Sequence, residues 1–225
     1  ATLAAVAEDT ADPDGTAITS LLANYSDADG DALAGIAISD DASTASQGEW
    51  QYSLDSGETW NAVGSVSDTA ALALDAATQL RFLPAADYNG TPGALTVHAI
   101  DASGARSFTT DAGNRQTLDI ATGASGAAAD IDQAGSALNT SITSVNDLAD
   151  IVTDENLIID EGTTGTIDTG VIEITDVETP ADQITYTITA TTLGEGTLAL
   201  DGTTLAAGDT FTQQDVNDGL LTYGH

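Results

Sequence analysis

Apolar and polar residues alternate in short runs along most of this chain. Ile36-Ala37-Ile38, Trp50-Gln51-Tyr52-Ser53-Leu54, Ala71-Leu72-Ala73-Leu74, Leu80-Arg81-Phe82-Leu83 and Leu95-Thr96-Val97-His98-Ala99-Ile100 are such runs. A period of two puts alternate side chains on opposite faces of a strand. Gly, Asp and Asn clusters separate the runs, and short strands with turn signals every ~8–12 residues predict a β-sandwich. No amphipathic helix of convincing length is present. From Asp101 to Gly135 the pattern weakens, and the run Ala121–Ala129 is low in bulk with little to bury. Residues 102–135 are therefore expected to form a long hairpin or loop inserted before the last strand. Loops of that length are functional or mobile, and mobile filler is the expectation here. The last strand follows as Ala137–Val145, and Asn146-Asp147 marks a domain edge.

A second unit begins near Ala149. Glu8-Asp9-Thr10 and Glu161-Gly162-Thr163 both precede a Gly-Thr step, Gly15-Thr16 and Gly165-Thr166. Ser26-Asp27-Ala28-Asp29 then matches Thr175-Asp176-Val177-Glu178. Repeated, imperfect units mark an array. The second unit continues through Ile184-Thr185-Tyr186-Thr187-Ile188, Gly196-Thr197-Leu198-Ala199-Leu200 and Leu220-Leu221-Thr222-Tyr223. A seven-strand sandwich takes about 100 residues, so this unit is expected to lack its last strands. The predicted organisation is all-β: two sandwiches joined end to end, spanning 1–147 and 148–225, the second incomplete. An incomplete sandwich has unpaired edges that invite strand donation or association.

Charge narrows the functional classes. The 225 residues hold 36 acidic side chains against 3 arginines and no lysine, a formal net charge of −33. Such a surface repels nucleic acid and anionic lipid. With 41% hydrophobic residues the chain is not of disordered type. There is no cysteine, so disulfides, thiolate metal sites and cysteine nucleophiles are excluded. No stretch approaches the ~18 apolar residues of a membrane span. Ala1–Val6 lacks the basic region of a signal peptide, and the chain reads as a segment of a longer one.

Tyr25-Ser26-Asp27-Ala28-Asp29-Gly30-Asp31 places three carboxylates at alternate positions. It is either a solvated turn or a Ca²⁺ site, since Ca²⁺ takes 6–8 oxygen ligands. It is not an EF-hand loop. The bidentate Glu of that loop would fall at Ile38. Ser53-Leu54-Asp55-Ser56-Gly57-Glu58-Thr59-Trp60 looks like an Asp-box hairpin, in which the Asp side chain bonds turn amides. Asp-boxes recur in sialidase propellers, where they are structural, and one box does not make a propeller. His98 on its strand reads as a packing residue. Trp50, Tyr52 and Trp60 are core and hairpin packing or, alternatively, an aromatic sugar platform. No Ser–His–Asp order, phosphate loop or zinc spacing occurs, and nothing argues for an enzyme.

Together these pieces resemble known families. "VAEDTADPDGTAITSLLANYSDADGDALAGIAI", "GEWQYSLDSGETW", "LRFLPAADYNG", "LTVHAIDASG" and "TSITSVND" resemble a cadherin-like repeat of giant bacterial surface proteins, including RTX-type adhesins. "ITDVETPADQITYTI", "GTLALDG" and "FTQQDVNDGLLTYGH" resemble a chondroitin-sulfate-proteoglycan (CSPG) repeat, without the strands expected after its His. The resemblance implies Ca²⁺ between successive domains. One junction would draw on Glu8, Asp87, Asn146, Asp147, Asp176 and Glu178. The top of the first domain would draw on Asp27, Asp29 and Asp101. It further implies a non-catalytic extender segment of a secreted adhesin or surface fibre, extracellular, with neighbouring repeats or subunits as partners. The alternative is a module of such an adhesin that binds a glycan or peptide on a cell surface.

Overall fold

In the first half of the chain, strand alternation is sorted between two sheets that share one apolar interior. The computed structural model describes residues 1–121, 130–189 and 196–225. The chain divides into two units, Ala1–Val145 and Asn146–His225. The first holds β1 (Val6–Ala7), β2 (Thr16–Ala17), α1 (Ile18–Leu21), β3 (Leu33–Asp41), β4 (Gly48–Ser53), β5 (Asn61–Ala62), β6 (Ala71–Asp75), β7 (Gln79–Pro84), β8 (Leu95–Asp101), β9 (Thr117–Leu118), β10 (Ser136–Leu138) and β11 (Ile142–Thr143). One sheet has the order β10-β8-β3-β6-β9, the other β2-β7-β4-β5. Ile36, Ile38, Leu72, Leu74, Leu95 and Val97 from the first meet Trp50, Tyr52, Leu80 and Phe82 from the second. Trp50 is fully buried, its ring edge-on to Phe82 at 5.2 Å between centroids, and its indole N–H donates to Gly93 O. The buried aromatics are therefore core, as the first of the two sequence readings has it, and the unit is a β-sandwich. β1 pairs in parallel with β11, which ties the N-terminal strand to the end of the unit.

Alternation also explains the other face of β3. Ala37 points away from the main core and joins Ala71 and Ile100 in a second apolar cluster, against Phe108, Leu118, Ile120 and Ile131. Those last four residues belong to the 102–135 insertion. The expectation of mobile filler is corrected here for its described part. It covers the outer face of the five-stranded sheet and adds β9 as that sheet's edge. A Cβ on Gly35 would lie 2.6 Å from Phe108 Cε1 and 2.2 Å from Leu74 O, so only glycine admits this close packing. The insertion is pinned at its ends. Arg106 donates from Nε and a terminal nitrogen to the two carboxylate oxygens of Asp130, at 2.6 and 2.7 Å. Those bonds hold the Asp130 carboxyl below its usual pKa. The low-bulk run expected within the insertion lies, from 122 to 129, outside the described residues.

The second unit holds β12 (Asp150–Asp154), β13 (Thr164–Thr166), β14 (Ile172–Thr175), β15 (Thr185–Thr187), β16 (Thr197–Leu200), β17 (Thr203–Thr204), β18 (Thr210–Thr212), α2 (Gln213–Asn217) and β19 (Leu221–Gly224). Its sheets are β12-β14, β13-β19-β16-β17 and β15-β18. The fold class is thus all-β, with helix confined to α1 and α2 among the described residues. Three buried residues, Phe211, Val216 and Leu221, form the second unit's centre, with Tyr186, Ile188, Leu198 and Leu200 packed around them. Tyr186 stacks on Phe211 at 4.8 Å and 11°. α2 starts at a capping box, in which Thr212 accepts from Asp215 N–H and the Asp215 side chain accepts from Thr212 N–H. Inside it, Gln213 is 2% exposed. Its Oε1 accepts from Ile174 N–H on β14 and from the Tyr186 hydroxyl, and its amide donates to Asn217.

Candidate metal centres

The acidic residues of the first unit gather at two places. At the first, β1 runs into a tight turn, and Glu8 is 0% exposed. Glu8 Oε1 accepts from Val145 N–H at 2.6 Å and Oε2 from the Asn89 amide at 3.1 Å. Both donors are neutral. A buried carboxylate without a counter-ion is costly unless hydrogen bonds or a cation compensate. The three arginines are engaged elsewhere: Arg81 with Asp12, Pro13 O and Gln51, Arg106 with Asp130, and Arg115 with Ser65 O. Asp87, at φ 58°, brings a carboxylate oxygen within 4.8 Å of one from Asp9. Two exposed like charges at that separation repel by about 1 kcal/mol in water. Sequence reasoning missed Asp9. Its only signal was its place beside Glu8 in the Glu8-Asp9-Thr10 run, where the chain turns after β1.

The second place is a cavity of about 550 Å³ lined by Tyr25, Asp27, Asp101, Asp130, Ile131 and Asp132, among others. Asp27 Oδ1 accepts from the N–H groups of Asp29 and Asp31 at 2.8 and 3.3 Å. These bonds lower its pKa. Asp101 is buried and accepts from the N–H and hydroxyl of Ser103. Burial, then the charges of Asp27, Asp101, Asp31 and Asp132, raises the pKa of Tyr25, so several carboxylates act on one phenol. Asp29 is exposed and is not among the residues lining the cavity.

In the second unit the loop after β14 is built as a turn around Asp176, whose Oδ1 accepts from Glu178 N–H and Thr179 N–H. Glu178 Oε2 accepts from Asp147 N–H at 3.0 Å. Glu178 Oε1 is buried and, among the described residues, accepts no hydrogen bond. The Asn146 amide donates to Asp147 O. Gln213 fixes the approach to this loop by holding Ile174 N–H near the end of β14. From the sequence it was read only as part of the Phe211-Thr212-Gln213 step, with no anchoring role, because its partner lies 39 residues away.

The remaining candidates are structural. Asp55 of the Asp-box accepts from the hydroxyl and N–H of Thr59 and from the Ser53 hydroxyl. In that order, these bonds bring its pKa to about 2. Arg81 lies 4.1 Å over the Trp60 ring, so the arginine and the hairpin Trp stack on each other. His98 is buried, bonded to Ser39 Oγ and, through Nδ1–H, to Asp132 O, which is the packing role expected. Among the described residues no helix is long and apolar enough to cross a membrane.

The donor chemistry of these places is carboxylate and carbonyl oxygen, which suits a hard cation such as Ca²⁺. No curated protein matches the chain. Residues 150–225 match the cadherin-like family model, so the second unit is similar to cadherin-like repeats.

Proposed function

We propose that the chain is a non-catalytic extender segment of a large secreted adhesin or surface fibre, and that its clustered acids take up Ca²⁺ to stiffen the array. One observation carries this reading: Glu8 is a fully buried carboxylate that, among the described residues, is held by two neutral donors, in a protein with three arginines, each engaged with other groups. The buried Glu178 Oε1 is the counterpart in the second unit. Glu8 and Asp87 of the first unit, joined by Asp9, and Asn146, Asp147, Asp176 and Glu178 of the second are the residues we assign to Ca²⁺ binding. Asp27 and Asp101, with Asp29 nearby in sequence, are those assigned to the top of the first unit. When bound, the cation supplies positive charge that offsets carboxylate repulsion. The protein's part is to hold Glu8 and Asp176 in fixed turns. The finer assignment of the second unit as a CSPG-type repeat rests on its Phe211-Thr212-Gln213 and Tyr223-Gly224-His225 steps. The RTX-type bacterial surface setting rests on the sequence resemblance.

Small-angle scattering tests the reading. Millimolar Ca²⁺ should give a longer, narrower distance distribution than excess EDTA, and Asp147→Asn with Asp176→Asn should weaken that response while strand content is kept. Identical profiles in both media would make these acids ordinary solvated charges. The ligand-binding alternative is favoured by the cavity beside Tyr25, which the end of the insertion lines. Chemical-shift changes confined to Tyr25, Ile131 and Asp132 on adding a glycan would support it.

A further inference from the structure

Asn89 is followed by Gly90, the one Asn-Gly step in the chain. In such a step the glycine nitrogen can attack the asparagine side-chain carbonyl carbon, because no Cβ hinders its approach. The new C–N bond closes a succinimide as the side-chain nitrogen leaves as ammonia. Water then opens the ring to aspartate or isoaspartate, so the net change is amide plus water to carboxylate plus ammonia. Both residues are exposed to the water that the second step needs.

The fold restrains both reacting groups. Gly90 N–H donates to Ile142 O at 2.9 Å, and Ile142 N–H returns a bond to Gly90 O at 2.7 Å. This bridge holds the attacking nitrogen in an extended, left-sided conformation at φ 123°. The Asn89 amide is engaged by buried Glu8. Attack therefore requires local opening of the bridge, the kind of sub-global event whose frequency hydrogen exchange reads.

We propose that Asn89 is a deamidation site gated by the Gly90–Ile142 bridge, so that the first unit carries a slow, irreversible amide-to-carboxylate conversion beside Glu8. The product replaces Glu8's amide donor with a second anion. It removes one of the two bonds that hold the buried carboxylate and loosens β11, whose residue Ile142 forms the bridge. This inference rests on the geometry of residues 8, 89, 90 and 142 and is independent of the cation reading above.

The test incubates the full 225-residue chain at mildly alkaline pH, folded and in guanidinium, and follows residue 89 by peptide mass and isoaspartate detection. Residue 89 should convert in both, about tenfold or more slowly in the folded chain. The Gly90 amide should exchange faster in Glu8→Gln, and conversion at residue 89 should accelerate with it. Glu8→Gln keeps a similar volume but only one acceptor oxygen, so it cannot hold both Val145 N–H and the Asn89 amide as the two carboxylate oxygens do. Should it fail to fold, raising the temperature of the native chain below its melting transition supplies the same correlation. Conversion at residue 89 equally fast in folded and unfolded chains would overturn the gating. Conversion of the unfolded chain alone, with none in the folded chain while Gly90 exchanges, would overturn the site.

Discussion

Among the described residues, fifteen buried ones form the main core of the first unit, and three form that of the second. Both units use the same period-two pattern, yet one closes over its apolar face and the other leaves Leu148, Ile151, Val152, Ile158 and Val177 mostly exposed. Patterning alone does not make a core. Closure needs facing residues from a second sheet, as Trp50 and Phe82 provide against Ile36 and Leu74. The second unit instead draws order from polar devices. These are the Gln213 contacts to Ile174 and Tyr186, the capping box of α2, and the turn around Asp176.

This contrast should be largest for core truncation. Trp50→Ala should destabilise the first unit by about 3–5 kcal/mol, whereas Ile151→Ala on exposed β12 should change the second by less than about 0.5 kcal/mol. Denaturant titrations read by tryptophan-independent circular dichroism check both. Comparable losses would mean that the exposed strand is buried in solution.

Next comes the polar anchor. Gln213→Leu preserves bulk but leaves Ile174 N–H without its acceptor, and should cost the second unit about 1–3 kcal/mol. Hydrogen exchange should show faster opening at Ile174. An unchanged exchange rate there would show that Gln213 does not hold the loop.

The smallest effect concerns pH. The Asp55 carboxyl is depressed to about 2 in the folded hairpin, against about 3.9 in an unfolded chain. Its contribution is fully present above about pH 4 and is lost as pH falls towards 2. Because Asp55 is exposed, the loss should be seen as local loosening of Thr59 N–H in amide spectra, not as unfolding. A midpoint near 4 for Asp55 would contradict the bonding.

Much of the fold was legible because strands with one or both faces buried leave a period in the sequence. β4, β6, β7 and β8 sit where the alternation places them. The cover over the five-stranded sheet was not legible. Phe108, Leu118, Ile120 and Ile131 are irregularly spaced and acquire a common face only once the insertion is folded back. Similarly, Glu8 was readable as a candidate acid, but its burial was not. That depends on Asn89 and Val145, 81 and 137 residues away.

The most direct test of the account is the melting temperature of the chain in millimolar Ca²⁺ against excess EDTA. A ligand that binds only the folded state stabilises it by about 2.7 kcal/mol at 100 times its dissociation constant. The account predicts a higher melting temperature in Ca²⁺, with the gain reduced in Glu8→Gln and in Asp176→Asn. Superimposable melting curves in Ca²⁺ and EDTA would contradict it.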